Sequence, residues 1–540
     1  MVEANNSQVL LSVVIVNYKV PYCLREALNS VKEAKLYNKC EIIVIDNASE
    51  DNSKSIITSE FPEVQWIQLK SNIGFGKACN LGARRARGKY LLLLNPDTVI
   101  SETTLTACVD FMNNNPDAGM LGPKILNPDG TMQASCRRSF PTPSAALFYF
   151  SGLSRFFPKS KRFGKYNLTY MDENKTAEVD AISGSFMFMP LSVFQEVGGF
   201  DERFFMYGED IDLCWRIRKT GKAVWYNPQI QIIHLKGKSS SKRQLRSRIA
   251  FYEAMIIFSR KYKAHRGGFF PGWLIFLGII IQASINIGSI LIRTALAGLI
   301  DLLIINGTLW AGISLRFHLT NETTPYNDQL LIMLVTHVLI SAVFLFMFIY
   351  NGVYSQRQYS RLNALLSGVL SSTVSIAAVL SVRVAAFTRI GYSLSLAAVT
   401  LLLLGWREML PKLTHLRPFI FAPSKVLIVG NCPLVSKLIK EIEDQRAHSI
   451  KGIVRCPDEN SPVAVEGYPV LGEISDLKNI LTKNQIDILI VATEKPWYSN
   501  IIEAMSRLGK RAPEVRWVPQ KFVEEKSKDL PETVPLHIVS

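Results

Sequence analysis

Several residues of this chain sit where their types and spacing suit group transfer. Asp46 follows the apolar run Ile42–Ile45, and Asp97 follows the apolar run Tyr90–Leu94 within Asn95-Pro96-Asp97. Ligands of an open α/β sheet bind at the carboxyl ends of its strands. Either aspartate alone reads as an ordinary turn former. Two at consecutive strand ends point to a nucleotide site, because the glycine loop Asn72-Ile73-Gly74-Phe75-Gly76-Lys77 between them opens a helix and its backbone can approach a phosphate. A third cluster, Glu209, Asp210 and Asp212, opens a helix after Gly208 that ends near Gly221. Acids in a first turn can be simple caps favoured by the helix dipole. The same dipole would keep Asp210 ionised, as a general base for a hydroxyl must be. The turn-rich segments Ser183-Gly184-Ser185 and Gly198–Glu202 suit an acceptor-binding rim. His234 follows the strand Ile230–Ile233 and needs a partner carboxylate to serve as a metal ligand. Arg137 and Arg138 could grip a phosphate bidentately.

The elements that position these residues fall into three regions. Residues 1–266 alternate short β-branched runs such as Val13–Val16 and Ile42–Ile45 with helix-like stretches such as Tyr22–Ala34 and Lys77–Arg87. Runs that are apolar throughout belong to strands covered on both faces, so an α/β domain with a mostly parallel sheet is expected. Residues 267–410 read as membrane, because stretches near 269–292, 294–315, 329–353, 362–384 and 390–406 each approach the roughly 20 apolar residues of a crossing. Arg357, Arg361, Arg407, Lys412 and Arg417 mark loops as inside, and Arg316–Asp328 reads as outside. That pattern favours four crossings, with 269–292, interrupted by Pro271, Gln282 and Asn286, re-entrant or interfacial. Residues 424–540 read as a small doubly wound α/β domain: Val426–Gly430 is a strand ending in a glycine turn, Leu434–Asp444 a helix and Ile486–Ala492 a later strand.

Length and composition agree. A chain of 540 residues predicts three or four folded units at roughly 150 residues each. With 48% apolar and 20% charged residues it is neither disordered nor a coiled coil. The net charge of +16 is concentrated: residues 236–266 carry ten Lys or Arg against one acid, Glu253, directly before the apolar region. Such a collar faces the anionic lipids of a cytoplasmic membrane surface and excludes the nucleic-acid reading. The eight cysteines form no C-x-x-C pair and read as free thiols of a reducing compartment. The apolar run from Val9 to Val16 is too short for a secretory signal.

The first 260 residues or so resemble the family 2 glycosyltransferases of the GT-A fold, in particular their rhamnosyltransferase-like branch. The stretches that carry the likeness run in order: VVIVNY at 13–18, IDNASEDNS at 45–53, NIGFGKACNLG at 72–82, LLLNPDT at 92–98, NPDGT at 127–131, RRSFP at 137–141, SGSFMFM at 183–189, GGFDERFFMYGEDID at 198–212 and HLKGKS at 234–239. The resemblance implies that Asn17, Asp46, Asn72, Gly74, Asn80, Asn95 and Asp97 bind a nucleotide-sugar donor, with Asp46 on the base or ribose. It puts Asp97 in the metal position usually written D-x-D, here Asn95-Pro96-Asp97 with one carboxylate. It implies that His234 completes a Mg²⁺ or Mn²⁺ site. Asp210 would be the catalytic base, and Gly184, Glu209 and Asp212 would meet the acceptor.

Residues 293–530 resemble the non-catalytic half of polyprenyl-phosphate sugar-1-phosphate transferases. The matching stretches are Arg293–Phe317 with Asp301, Tyr350–Tyr354, KVLIVG at 425–430, GYPVLGEISD at 467–476 and QIDILIVAT at 485–493. In that family four spans lead to a small Rossmann-like domain and a catalytic membrane domain follows. This chain stops at Ser540, so the catalytic part is expected to be absent. Asn431, Cys432 and Pro433 replace the glycines that would cradle a pyrophosphate, and 424–540 lacks a Y-x-x-x-K pair, so this domain is expected to be non-catalytic. Together the resemblances imply an inverting, metal-dependent glycosyltransferase of the bacterial inner membrane with its soluble domains cytoplasmic. It would move a sugar, rhamnose being one candidate, to a polyprenyl-diphosphate-linked glycan in surface polysaccharide synthesis. The alternative is a scaffold that gathers other glycan-assembly enzymes. A processive synthase would need Q-x-x-R-W where this chain has Leu213–Arg218.

Overall fold

The computed structural model describes residues 9–150, 153–235, pairs within 253–262, and then 272–320, 330–354, 361–381, 389–415, 424–430, 433–444, 448–457, 464–493 and 497–518. Most of the basic collar, Cys432 and the loop residues Asp328, Arg357 and Arg417 lie outside the described residues. The chain divides into two compact units, Met1–Ile279 with Pro423–Ser540, and Ile280–Ala422.

The first unit holds two large sheets. Its N-terminal sheet is built from β1 (Leu11–Asn17), β2 (Cys40–Asp46), β3 (Gln65–Gln68), β4 (Tyr90–Leu94), β5 (Thr98–Ile100), β6 (Ala118–Leu126), β8 (Ala177–Glu178), β10 (Phe186–Pro190) and β11 (Ala223–His234); β7 (Arg137–Arg138) and β9 (Ala181–Ile182) form a separate ribbon. The order is β3-β2-β1-β4-β10-β6-β11-β5, with β8 on β11. The half from β3 to β4 is parallel, as the apolar runs lead one to expect. The other half departs from that expectation. β10 runs antiparallel to β4 and β6, and β5 and β8 run antiparallel to β11. Short apolar runs such as Phe186–Met189 bury both faces in either direction, so their composition carries no sign of strand polarity.

The parallel half places the candidate residues. Register pairs Asn17 at the end of β1 with Asp46 at the end of β2, and β4 delivers Asn95 and Asp97 beside them. The helices Pro21–Lys32 and Phe75–Ala83 follow β1 and β3 and start within two residues of their expected positions. The helix Glu209–Lys219 has its acids in the first turn and Arg216, Arg218 and Lys219 in the last, each favoured by the dipole end it meets.

The second sheet runs β14-β15-β13-β12-β16-β17, from β12 (Ser424–Val429), β13 (His448–Arg455), β14 (Ala464–Val465), β15 (Tyr468–Glu473), β16 (Ile488–Val491) and β17 (Glu514–Trp517). All its pairs are parallel except the short β14 with β15. Pro433 is the first residue of the helix Pro433–Asp444, where its missing N–H costs nothing.

The second unit is helical. Thr294–Leu319, Leu331–Tyr350 and Asn363–Leu380 are long and apolar enough to cross a membrane, and Gly391–Arg407 is a shorter apolar helix. The stretch 269–292, expected to be re-entrant or interfacial, runs on without a break from residue 272: a single helix of 49 residues spans Gly272–Thr320, about 74 Å at 1.5 Å per residue. Gln282 and Asn286 are polar but not helix breakers, and Pro271 lies before the helix starts. The helices are joined by buried polar contacts. Asp301, 1% exposed, accepts from both terminal nitrogens of Arg407, from the Tyr354 hydroxyl at 2.6 Å and from the Trp406 indole at 2.9 Å. Arg407 is thus paired with Asp301. His337 makes an interhelical hydrogen bond, Nδ1 to Asn306 Oδ1 at 3.1 Å, of the kind expected for a polar residue in a span.

Candidate active site

At the ends of β1 and β2, Asp46 is a hub. Its Oδ1 accepts from the Asn17 amide at 2.7 Å and from the Ser49 hydroxyl, and its Oδ2 accepts from the Ser49 N–H at 2.9 Å and from Gln68. With 1% exposure, this carboxylate shapes the loop after β2. Asn17 Oδ1 is buried at the same place and meets no hydrogen-bond partner among the described residues. Asn47 ties this loop to the glycine loop, accepting from the Ile73 N–H at 2.9 Å and donating to Asn72 at 3.1 Å. Gly74 takes φ +90, and a Cβ there would stand 2.6 Å from the Phe205 carbonyl. That carbonyl accepts from the Phe75 N–H at 3.0 Å, so the loop closes on its neighbour only through a glycine. Asn80 does not reach the strand ends. It clamps Phe200 through both backbone groups, at 2.8 and 2.9 Å, and so holds the Gly198–Phe200 turn.

Around β4 and β11 lies a second group. His234 and Asp97 meet, Nε2 to Oδ1 at 3.0 Å, because β11 pairs antiparallel with β5 and sets His234 opposite Thr98. Gln133 fixes the ring. Its amide nitrogen donates to the His234 carbonyl at 3.2 Å, which turns Gln133 Oε1 toward His234 Nδ1 at 3.1 Å. This places an N–H on Nδ1 and turns Nε2 toward the Asp97 carboxylate. The Asn95 amide also lies 3.4 Å from Nε2, and an imidazole beside a carboxylate is a donor set that a divalent ion with mixed N and O ligation can take. Among the described residues no group of three or more His, Cys, Asp or Glu gathers in this way.

The third group is the start of the Glu209–Lys219 helix. Asp210 accepts from the Arg138 guanidinium, from the Gly184 N–H at 3.0 Å and from the Ile211 N–H at 2.8 Å. The side chains of Arg138 and Asp210 are 11% and 13% exposed, enough for Asp210 to be reached. Burial, and then the charge of Asp210, push the Glu209 carboxyl up to about 8, and its Oε2 is buried without a partner among the described residues. The adjacent carboxyls are thus split: one protonated near neutral pH, one held by a guanidinium. Asn95 links this group to the second, its N–H donating to the Ser185 carbonyl at 2.9 Å, one residue from Gly184.

Two sequence expectations are corrected. Asp212 was expected at the acceptor, but it is wholly buried, with Oδ2 taken by Arg216 at 2.8 Å and Oδ1 by Lys261 at 2.7 Å and Tyr262 at 2.6 Å. Lys261 also binds Asp201 at 2.5 Å, so Asp212 anchors Lys261 and Tyr262. Arg137 is not free for phosphate, because it donates to the carbonyls of Met171 and Asp172 at 2.6 and 2.7 Å and lies over the Tyr226 ring. Arg138 binds Asp210 instead. Sequence reasoning missed Asn47, Ser49, Gln68 and Gln133. The first two lie inside a quoted motif, whereas Gln133 carries no signal, being brought to His234 across 101 residues by the β6–β11 pairing.

Comparison with known proteins gives the likeness. The model of the family described as glycosyl transferase family 2 matches residues 12–195, within the segment that forms the N-terminal α/β sheet. An N-acetylglucosaminyl-diphospho-decaprenol L-rhamnosyltransferase of Mycobacterium tuberculosis is 28% identical over 260 residues, which cover 46% of this chain and 83% of that protein. The rhamnosyltransferase WbbL of Escherichia coli K12 is 30% identical over 170 residues, covering 30% of this chain and 60% of the relative. Among solved structures, the mannosyltransferase PcManGT of Pyrobaculum calidifontis in complex with GDP-Man and Mn²⁺ aligns at TM-score 0.34 and 17% identity over 50% of this chain and 68% of its own. Likeness at that level carries no argument.

Proposed function

We propose that this protein is a membrane-bound inverting glycosyltransferase of the bacterial inner membrane. In this reading its soluble domains are cytoplasmic, and it moves a sugar, rhamnose being the leading candidate, from a nucleotide sugar to a polyprenyl-diphosphate-linked glycan in surface polysaccharide synthesis. The observation that carries the reading is the environment of Asp210, a reachable carboxylate fixed by Arg138 and Gly184 beside a neutral Glu209. The rhamnosyl donor and lipid-linked acceptor rest on the names of the relatives, and the C-terminal sheet is read as a Rossmann-like domain without catalysis of its own.

The chemistry follows from the residues. Asn17 offers its unsatisfied Oδ1 to an N–H or O–H of the nucleotide, and the loop built by Asp46, Asn47, Asn72 and Gly74 presents backbone to it. Asp97 and His234 would hold a divalent cation, Mg²⁺ or Mn²⁺, and when bound it would neutralise charge on the leaving diphosphate. Asp210 accepts the proton of the acceptor hydroxyl as that oxygen attacks the anomeric carbon. The bond from that carbon to the diphosphate breaks on the opposite face, so the configuration inverts in one step. Arg138 keeps Asp210 aimed while the proton moves. The test is nucleoside-diphosphate release by detergent-purified chain, with a panel of nucleotide sugars, lipid-linked acceptor and Mg²⁺ or Mn²⁺. Release with one donor, reduced about 10²–10⁴-fold in Asp210→Asn, is expected. Equal release by the variant would refute the assignment.

A further inference from the structure

The two sheets of the first unit share one apolar core. Val99 of β5, Leu126 of β6, and Ile233 and Leu235 at the end of β11 are buried together with Tyr498, Ile501, Ile502, Met505, Val515 and Trp517 of the C-terminal domain. The alternation along β11 is informative. Ile232 belongs to the core of the N-terminal sheet, Ile233 and Leu235 turn to the C-terminal domain, and His234 between them meets Asp97. The helix Tyr498–Leu508 lies against both β5 and β11. The strand ends that carry the Asp97–His234 pair therefore have this helix on their reverse face.

Polar contacts fix the docking. The Tyr498 hydroxyl donates to Glu26 at 2.7 Å, the Ser499 N–H to Glu102 at 2.8 Å, and the Val515 N–H to the Pro128 carbonyl at 2.9 Å. Gly130, in the turn between β6 and the Ala134–Cys136 segment, takes φ +72. A Cβ there would meet Ala512 Cβ at 2.5 Å and the carbonyls of Met505 and Gly509 at 2.9 and 3.0 Å. The surfaces touch too closely for any side chain. A tether would need neither a shared core nor a matched backbone.

We propose that the C-terminal domain is a structural part of the donor site: the helix Tyr498–Leu508 backs β5 and β11 and holds Asp97 and His234 in register. The inference rests on the reading of that pair as the cation and diphosphate site. Residues of the helix act on the pair through β5 and β11, so they are positioning residues.

The test uses the full-length chain in detergent and the substitution Gly130→Asn. Asparagine tolerates the positive φ, so the turn survives while its side chain wedges the domains apart. Hydrogen exchange is read at 97–100, 231–235 and 498–508, with β1 as internal reference, and Mn²⁺ affinity is measured by titration of the metal alone. Undocking should speed exchange at 97–100 and 231–235 at least about tenfold along with the helix, leaving β1 unchanged. Mn²⁺ binding should weaken by about the same factor. If the helix loses protection while 97–100, 231–235 and Mn²⁺ affinity hold, the inference is overturned. Should Gly130→Asn leave the helix docked, Tyr498→Asp, which sets a second carboxylate against Glu26, gives the same readout. Asp97→Asn separates the two readings: unchanged Mn²⁺ affinity in that control would count against the site assignment, and the exchange data would still judge the docking.

Discussion

At the scale of single residues, the site works by making like groups unlike. Glu209 and Asp210 are neighbours in the chain, yet burial and the adjacent charge raise one, and a guanidinium and an amide hold the other. The folded pKa of Glu209 lies above its usual value of 4.5, at about 8, so the folded state holds this proton more tightly than the unfolded chain does. Its stabilising effect is complete below pH 4.5 and is lost as pH rises through about 8. Thermal unfolding of the wild type from pH 6 to 9.5 should show Tm falling at the alkaline end, and Glu209→Gln should flatten that fall. An unchanged slope in the variant would remove Glu209 as the cause. Arg138 makes a second prediction. Arg138→Gln should lower kcat by roughly 10–100-fold with donor KM nearly constant, since in the proposed mechanism it orients Asp210 and does not bind the nucleotide. A rise in donor KM at constant kcat would put Arg138 on the phosphates after all.

At the scale of elements, the helical unit depends on a buried ion pair. Asp301 and Arg407 come from the helices Gly272–Thr320 and Arg389–His415, and Tyr354 and Trp406 satisfy the remaining oxygen capacity. Removing one partner leaves the other charge buried and unpaired, which costs about 3–5 kcal/mol. Arg407→Met should therefore lower the thermal stability of the detergent-solubilised chain sharply, and adding Asp301→Leu should recover much of the loss. A double variant no more stable than the single one would mean the pair does more than balance charge. The strand β11 shows the same dependence on partners. Its residues alternate between two cores and a polar pair, so a one-residue slip would reverse every assignment.

At the scale of the whole chain, the sheet of residues 424–518 is not an appendage of the first 235 residues. Ending the chain at residue 422 would expose Val99, Leu126, Ile233 and Leu235 to water. Such a fragment should aggregate or melt at lower temperature and bind Mn²⁺ poorly, even with its helices retained. A soluble fragment with wild-type Mn²⁺ affinity would return the C-terminal domain to the status of an anchor or recruiter.

Much of this was legible in the residues themselves. Apolar runs bounded by Asp46 and Asn95 set the strands and their carboxyl ends, and the Glu209–Asp212 cluster marked a helix start, because these signals are local in the chain. Strand polarity, the unbroken helix over residues 272–320 and the partners of each acid were not legible. Asp212 looks like Asp210 in sequence, and only the fold brings Lys261 and Tyr262 to one and Arg138 and Gly184 to the other. The same holds for His234: its strand could be read from Ile230–Ile233, but Asp97 lies 137 residues away and Gln133 101 residues away. Local pattern determines which backbone forms and which face is apolar. Which side chains share a pocket depends on long-range pairing, whose energy belongs to two distant segments at once and leaves no trace in either alone.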